Sequence, residues 1–434
     1  MMRGYSKYQQ TDIGWIGDVP SHWSKNKFKF LLREKTKTQN IELPCGSISF
    51  GSVVFKDSEK LTEETRLAYQ EVLSGEFLVN PLNLNYDLKS LRTALSEINV
   101  IVSSGYIVLQ SEGVVNKNYL KWLLFVFDIR HMKTLGAGIR QTITFKDIGN
   151  CTTYIPADDE QVAIASFLDR ETARIDNLIA EKQTFINLLK EKRQALISHV
   201  VTKGIDPNVK MKDSGVEWIG EVPEHWCLGR VKHISSFITS GPRGWSELID
   251  ENSSSVFLQS GDLNNNLGLE LKKAKRVSPP DGAEGVRTRL LGGDVVVCIT
   301  GANTGRVAIA ESIEETVYIN QHLSLIRPKL KKIRPKFLAY FLSSDAGSKY
   351  YALTQYGLKE GLSLKNISET PLVFPSVDEQ ESIERKLDLE LTKSTALLNS
   401  VLESIELLKE HRTALISAAV TGKIDVRSYK EEAA

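Results

Sequence analysis

Cysteine is scarce in this 434-residue chain: Cys45, Cys151, Cys227 and Cys298 stand far apart, with no paired spacing. That pattern argues against a zinc site and a disulfide framework, and it fits a reducing compartment. Seven histidines form no metal-ligand spacing either. No apolar run approaches the roughly 20 residues that a membrane span needs. The opening MMRGYSKYQQTD lacks the apolar core of a secretory signal. A cytoplasmic location is the expectation.

Reaction motifs are missing too. GANTG, Gly301–Gly305, has the look of a phosphate loop but lacks the Gly-Lys-Ser/Thr that cradles a nucleotide. VNPLN, Val79–Asn83, is similar to the Asn-Pro-Pro-aromatic loop of amino-methyltransferases. It lacks the second proline and the aromatic, and no glycine-rich cofactor loop precedes it. Asp262 with Glu270 and Lys272 resembles a nuclease carboxylate set for Mg²⁺, but such triplets arise often in a chain that is 25% charged. No Ser/His/Asp or Cys/His arrangement stands out. The expectation is a chain that binds and does not catalyse. Two competing readings are a stand-alone nuclease or DNA methyltransferase, and a coiled-coil scaffold whose heads bind protein.

What is present is a duplication. WIGDVPSHW, Trp15–Trp23, returns as WIGEVPEHW, Trp218–Trp226. LLKEKRQALISHVVTKGID, Leu188–Asp206, returns as LLKEHRTALISAAVTGKID, Leu407–Asp425. DEQ recurs at Asp159–Gln161 and Asp378–Gln380, and GIRQTITFKDIGNCTTYIP (138–156) answers GLKEGLSLKNISETPLVFP (357–375). The last three matches share an offset of 219 residues; the WIG repeat is offset by 203, so the blocks between differ by 16. Two copies with unlike middles are too few for a solenoid. They suggest one frame carrying two different heads.

Charge follows the same division. The net charge is +1, yet residues 24–155 hold 17 Lys+Arg against 13 Asp+Glu, and residues 227–375 hold 19 against 14. Two basic blocks sit in an acidic frame, which hints at a polyanionic partner.

The frame reads as helix. Apolar residues recur in steps of three, four and seven at Ile164, Leu168, Ile175, Leu178, Phe185, Leu189, Leu196 and Val200. The second copy places Ile383, Leu387, Leu398, Val401, Ile405, Leu408, Leu415 and Ala419 in the same way. Neither stretch contains proline or glycine, and Pro156, Pro375, Gly204 and Gly422 bracket them. A helix of roughly 40 residues would be about 60 Å long. One such helix cannot bury its stripe alone, so antiparallel pairing of the two copies is expected. The heads read as mixed α and β. Strand-like runs fall at Gly75–Val79, Val100–Leu109, Gly292–Thr300 and Val317–Pro328, with apolar helices from Tyr119 and Phe337.

The ordered set of repeats resembles the specificity (S) subunit of type I restriction–modification enzymes. DSGVEWIGEVPEHW (Asp213–Trp226) is similar to that family's linker before a target recognition domain. KEKRQALIS, KEHRTALIS, IPADDEQVAIASFLD and FPSVDEQESIERKLD resemble its helical regions, and GGDVVVCITGANTGRVAI with YINQHLSLIRP resembles its recognition domains. The first head matches by pattern more than by residue. The resemblance implies an α+β fold, with two mixed α/β target recognition domains separated by two long helices that pair as an antiparallel coiled coil, in a pseudo-two-fold internal repeat. The boundaries are an N-terminal elbow over 1–23, the first recognition domain over 24–155 and a central helical region over 156–206. A linker over 207–226, the second recognition domain over 227–375, a distal helical region over 376–425 and a tail over 426–434 complete the plan.

The resemblance also implies a non-catalytic role. Each head would read one half of a split site in double-stranded DNA, and the helices would set the gap between the halves. Two methyltransferase subunits using S-adenosylmethionine would dock on the helices, and restriction subunits using ATP and Mg²⁺ would join them. No cofactor, metal or small-molecule substrate is then expected in this chain. Heads at opposite ends of a 60 Å helix could not read halves more than about 18 base pairs apart. The repeated tryptophans, with His22 and His225, would pack in an elbow joining each head to the frame.

Candidate DNA-contacting residues are polar side chains in glycine-punctuated loops, because Arg, Lys, Asn and Gln can pair with base edges. The second head offers Ser240, Arg243, Gln259, Ser260, Asn303, Thr304, Arg306, Asn320, Gln321, His322 and Lys359. The first offers Lys89, Arg92, Ser103, Ser104, Arg140, Gln141 and Thr142. Lys146 and Lys365, at matched positions, are read as phosphate clamps or local structure. The basic run Lys331–Lys336 is either a phosphate track or a solvated connection into the next helix.

Overall fold

The computed structural model describes residues 4–49, 51–57, 61–82, 91–135, 142–355, 361–427 and 429. The chain forms two compact units, 1–182 with 403–434 and 183–402. The fold is α+β: each unit contains one mixed head and parts of both long helices.

Both long helices outrun the expected 40 residues. The central helix is Asp158–Lys203, 46 residues, and the distal helix is Val377–Val420, 44 residues. Acidic side chains crowd both first turns (Asp158, Asp159 and Glu160; Asp378 and Glu379), where they favour the positive helix end. Gly204 and Gly422, at φ +77° and +68°, let the chain turn left-handed as each helix ends.

Within each unit the helices pair antiparallel. In the first, Ile164, Leu168 and Ile175 near the start of the central helix share a core with Leu415, Ile416 and Ala419 near the end of the distal one. Arg412 reaches across to Asp176 at 2.9 Å. In the second, Ile197, Val200 and Val201 share a core with Ile383, Leu387 and Leu391. Each buried Ile, Leu or Val among them contributes about 1.5–3 kcal/mol, which is why the stripe needs a partner.

The heads share a four-stranded antiparallel sheet. In the first unit its order is Leu32–Glu34, Ile107–Ser111, Phe77–Val79, Thr93–Leu95, extended by Ser52–Phe55 and Gly46–Ser49. In the second it is Ser235–Ser240, Leu323–Pro328, Val295–Cys298, Val307–Ile309. The central strand VVVC is buried throughout because both its faces are covered. Val295 and Val297 meet the helix Pro335–Ser343, while Val296 and Cys298 join the core of a smaller sheet. Phe77 and Val79 against Leu78 repeat the arrangement, with the helix Lys117–Arg130 behind them.

Two expected strand runs are broken in the middle. Val100–Leu109 is two strands, Val100–Ser103 and Ile107–Ser111, which belong to different sheets. Val317–Pro328 likewise divides into Val317–Ile319 and Leu323–Pro328. Hydrophobic periodicity cannot show this, since both sheets want apolar residues at the same spacing. The breaks fall at Ser104–Tyr106 and Asn320–His322.

Hydrogen bonding explains the repeated phrase. Val19–Pro20 pairs with Tyr8–Gln9, and Glu221–Pro223 with Met211–Asp213. Beside each hairpin lies the glutamate of DEQ. Glu160 accepts from the indole Nε1 of Trp23 at 3.1 Å and lies 2.8 Å from Nε2 of His22. Glu379 meets Trp226 at 3.0 Å and His225 at 2.8 Å in the same way. The neighbouring glutamines tie helix to head. Gln161 donates to Pro156 and accepts from the backbone of Asn116, and Gln380 donates to Pro375 and accepts from that of Arg334.

Candidate nucleic-acid interface

In the second head, four loops converge at one edge of the sheet. Gly241 follows the strand Ser235–Ser240, and a Cβ there would lie 2.1 Å from the carbonyl oxygen of Ile319 and 2.3 Å from that of Asn320. Only glycine permits so close a backbone approach. The approach sets Arg243 beside Gln321 and His322, and these line an open cleft of about 610 Å³ with Thr300 and Gly301. Leu362 donates its N–H to Ile299 O at 2.8 Å, and Ile299 donates to His322 O at 2.9 Å, so the 357–375 motif packs on the same edge.

The side chains in these loops divide by task. Arg243 and His322 are exposed and Gln321 half-buried. His322 pairs through Nδ1 with the Thr300 hydroxyl. Asn303 donates to Ser260 O at 3.1 Å and Arg306 to Leu263 O at 3.0 Å, tying two loops together. Thr304 closes its own turn on Gly301 O. Gln259, half-buried, gives its N–H to Asp262 at 2.7 Å. Ser240 is half-buried at the strand end. Asn320 corrects its expectation: it is buried, and its Oδ1 holds the His322 N–H at 3.0 Å, so it forms the turn and does not face outward.

The first head repeats the framework. Ile143 donates to Pro81 O at 3.2 Å, the counterpart of the Leu362–Ile299 bond. Ser104 is exposed at the strand break and its carbonyl accepts from Lys37 at 2.8 Å, while the Ser103 hydroxyl bonds the Gly105 N–H. Thr142 is exposed. Lys89, Arg140, Gln141 and Lys359 lie outside the described residues. Arg92 is a second correction. It is 5% exposed, and its Nε donates to the buried carboxylate of Asp128 at 3.1 Å. Sequence shows a basic residue near a loop; the structure buries it against the acidic residue of an apolar helix.

Lys146 and Lys365 are exposed in the first turns of the short helices Phe145–Asn150 and Leu364–Glu369. Each helix starts with a capping box, Thr144 with Asp147 and Ser363 with Asn366. The two hydrogen bonds from Thr144, side chain first, hold the Asp147 carboxyl below the usual aspartate range. In the basic run, Arg334 bonds Glu384 at 2.7 Å and Lys336 bonds Asp388 at 3.0 Å, so both anchor the head to the distal helix. Asp262 and Glu270 are used within their own loops, Glu270 accepting from Asn264 at 3.1 Å. Among the described residues no group of three or more His, Cys, Asp or Glu is placed to hold a metal, and no helix is long and apolar enough to cross a membrane.

Residues 231–407 match the family model for the type I restriction modification DNA specificity domain. That segment of the chain is similar to the specificity domain of type I restriction–modification systems. A solved chain from a study of complex assembly and conformational transition of the type I R-M system superposes with a TM-score of 0.69, at 15% identity, covering 93% of this chain and 98% of that one. The HsdS subunit from Thermoanaerobacter tengcongensis superposes with a TM-score of 0.51 at 16% identity, covering 94% and 98%. At such identity these likenesses concern the fold.

Two curated relatives carry the family in their names. The EcoBI specificity subunit of Escherichia coli is 22% identical over 276 residues, 62% of this chain and 58% of that protein. The putative MjaX specificity subunit of Methanocaldococcus jannaschii is 23% identical over 221 residues, 49% of this chain and 50% of that protein. The matches thus span little more than half of these curated relatives. Lys37 and Thr300 join the loop sites, although neither stands out in the sequence. The signal that could have found them is the interruption of each strand run.

Proposed function

We propose that this chain is the non-catalytic DNA-specificity subunit of a type I restriction–modification complex, each head reading one half of a bipartite site in double-stranded DNA. The observation that carries the reading is the convergence of Arg243, Thr300, Gln321 and His322 on one open cleft, inside the segment that matches the specificity domain. Arg and Gln are residue types that pair with guanine and adenine edges, and an open cleft at a sheet edge admits a duplex where a closed pocket would not. The excess of basic over acidic residues in both heads supports binding to phosphates by counterion release.

The same proposal assigns the long helices two tasks, setting the spacer between half-sites and docking two methyltransferase subunits. Restriction subunits complete the assembly in the cytoplasm. S-adenosylmethionine, ATP and Mg²⁺ serve those partners, and this chain itself takes no cofactor or metal. Ser103, Ser104, Thr142, Lys146, Ser240, Gln259, Ser260 and Lys365 are proposed as DNA-side residues. Asn303, Thr304 and Arg306 are assigned to shaping the loop, and Lys89, Arg140, Gln141 and Lys359, outside the described residues, are proposed as DNA-side residues from the sequence.

The test is methylation mapping in cells that carry this chain with its methylating partner. Two half-sites separated by a fixed gap are expected. Inserting one heptad in both helices, about 10 Å each at 1.5 Å per residue, should lengthen the gap by about three base pairs and leave both half-sites unchanged. A retained gap would overturn the spacer role. Turnover of DNA by the purified chain alone, supplied with Mg²⁺ and S-adenosylmethionine, would overturn the non-catalytic reading.

A further inference from the structure

On the matched short helices of the two heads, two positions carry an acid in one copy only: Asp147 stands against Asn366, and Glu369 against Asn150. In the second head, Arg230 and Lys232 both bond the carboxylate of Glu369, Lys232 at 2.6 Å. Arg230, Glu369 and Lys365 line one open groove with Trp218 and Tyr350. In the first head the repeat places Lys27, Lys29 and Lys146 where the second has Arg230, Lys232 and Lys365, but Asn150 stands where Glu369 stands.

The first-head lysines are held together by the same framework. Ser24–Lys27 pairs with Thr152–Ile155, and Phe28 donates its N–H to Cys151 O at 3.2 Å. The Lys29 Cβ lies 3.2 Å from where a Cβ on Gly149 would be, on the short helix that carries Lys146 one turn earlier. Lys27, Lys29, Lys146 and Asn150 are all exposed. Two neighbouring acids make other bonds, although the Asp147 carboxylate also feels the charge of Lys146. Asp147 is turned to the N–H and hydroxyl of Thr144 at 2.8 and 2.7 Å, and Asp12 sits 3.6 Å from Lys25. Among the described residues, none of these three lysines has an ion-pair partner. The cluster adjoins the candidate interface, because Lys146 is three residues beyond Ile143, whose N–H bonds Pro81 at the end of the central strand.

We propose that Lys27, Lys29 and Lys146 form a surface of the first head that contacts DNA backbone phosphates, and that in the second head Glu369 withdraws Arg230 and Lys232 from the equivalent surface, leaving Lys365. The two heads then grip the backbone unequally, whatever bases they read. The proposal rests on the DNA-binding role above and deepens it.

An exchange of the two matched residues tests it. Asn150→Glu supplies the first head with the second head's acid, and Glu369→Gln removes it from the second. The full-length chain is titrated by fluorescence anisotropy with a random-sequence duplex of about 30 base pairs at several salt concentrations. Each phosphate contact contributes about 0.9 to the slope of log affinity against log salt. Asn150→Glu is expected to reduce the slope by up to about two, roughly a tenfold loss of affinity at 50 mM salt relative to 200 mM. Glu369→Gln should increase it by a similar amount. The double variant Lys27→Ala, Lys29→Ala should match Asn150→Glu, which guards against a folding artefact in either exchange. A salt-dependent parent with unchanged slopes in all three variants overturns this proposal alone, and is also the result if the patch serves an acidic protein. A parent chain that binds no duplex at any salt overturns the DNA-binding role itself, and this inference with it.

Discussion

The indole Nε1 of Trp226 donates to Oε1 of Glu379 at 3.0 Å, joining the last residue of the repeated phrase to the first turn of the distal helix. Trp23 and Glu160 make the same bond in the first unit at 3.1 Å. The two acceptors differ in surroundings. The Glu160 side chain is 2% exposed and also takes the Tyr5 hydroxyl, whereas that of Glu379 is 28% exposed.

Removal of the carboxylate should therefore cost more in the first unit. Glu160→Ala leaves buried donors on Trp23 and Tyr5 without an acceptor, at about 1–3 kcal/mol for each unsatisfied group. Glu379→Ala leaves a site that water can reach, and about 1 kcal/mol is expected. Hydrogen exchange followed by mass spectrometry should show faster exchange over residues 5–23 in the first variant than over 208–226 in the second. Equal protection loss would contradict the burial argument.

Gly241→Ala should disturb the second head alone. Its new Cβ would overlap the backbone of Ile319 and Asn320, and overpacking of this kind costs about 1–3 kcal/mol. The loop carrying Arg243 must move away from Gln321 and His322. Methylation mapping should show relaxed or lost recognition at one half-site with the other unchanged. Unaltered recognition of both would remove this cleft as a reading surface.

The capping box of the Phe145–Asn150 helix gives a pH test. The folded state depresses the Asp147 carboxyl through its bonds to Thr144, so the stability it contributes is present above the unfolded value of about 3.9. That contribution is lost as pH falls through the lower folded value. Asp147→Asn should lower the thermal midpoint at pH 7, and the gap from the parent should narrow as pH falls below the unfolded value of about 3.9. A gap that widened toward low pH would refute the assignment.

Much of the frame was legible without coordinates. A repeat offset of 219 residues and a stripe at helical spacing led to two long paired helices, because periodicity reports directly which face a helix must bury. The capping boxes Thr144-x-x-Asp147 and Ser363-x-x-Asn366 mark two helix starts within a single turn of sequence. The loops of the candidate interface were less legible. Arg92, Asn320 and Arg306 are polar residue types like Arg243 and Gln321, and nothing local says that the first meets Asp128 or that the second closes a turn. Lys27 and Lys29 carry no local mark that sets them apart from other exposed lysines.

Sequence by itself determined the duplicated plan, the helices and the mixed character of the heads, since each follows from spacing between near neighbours or between copies. Tertiary structure alone decided where each strand run breaks between two sheets, which polar loop residues are spent on holding the fold, and why a glutamate must follow each helix start. Those outcomes depend on groups far apart in the chain, such as Glu379 and Trp226, whose pairing has no signature in local periodicity.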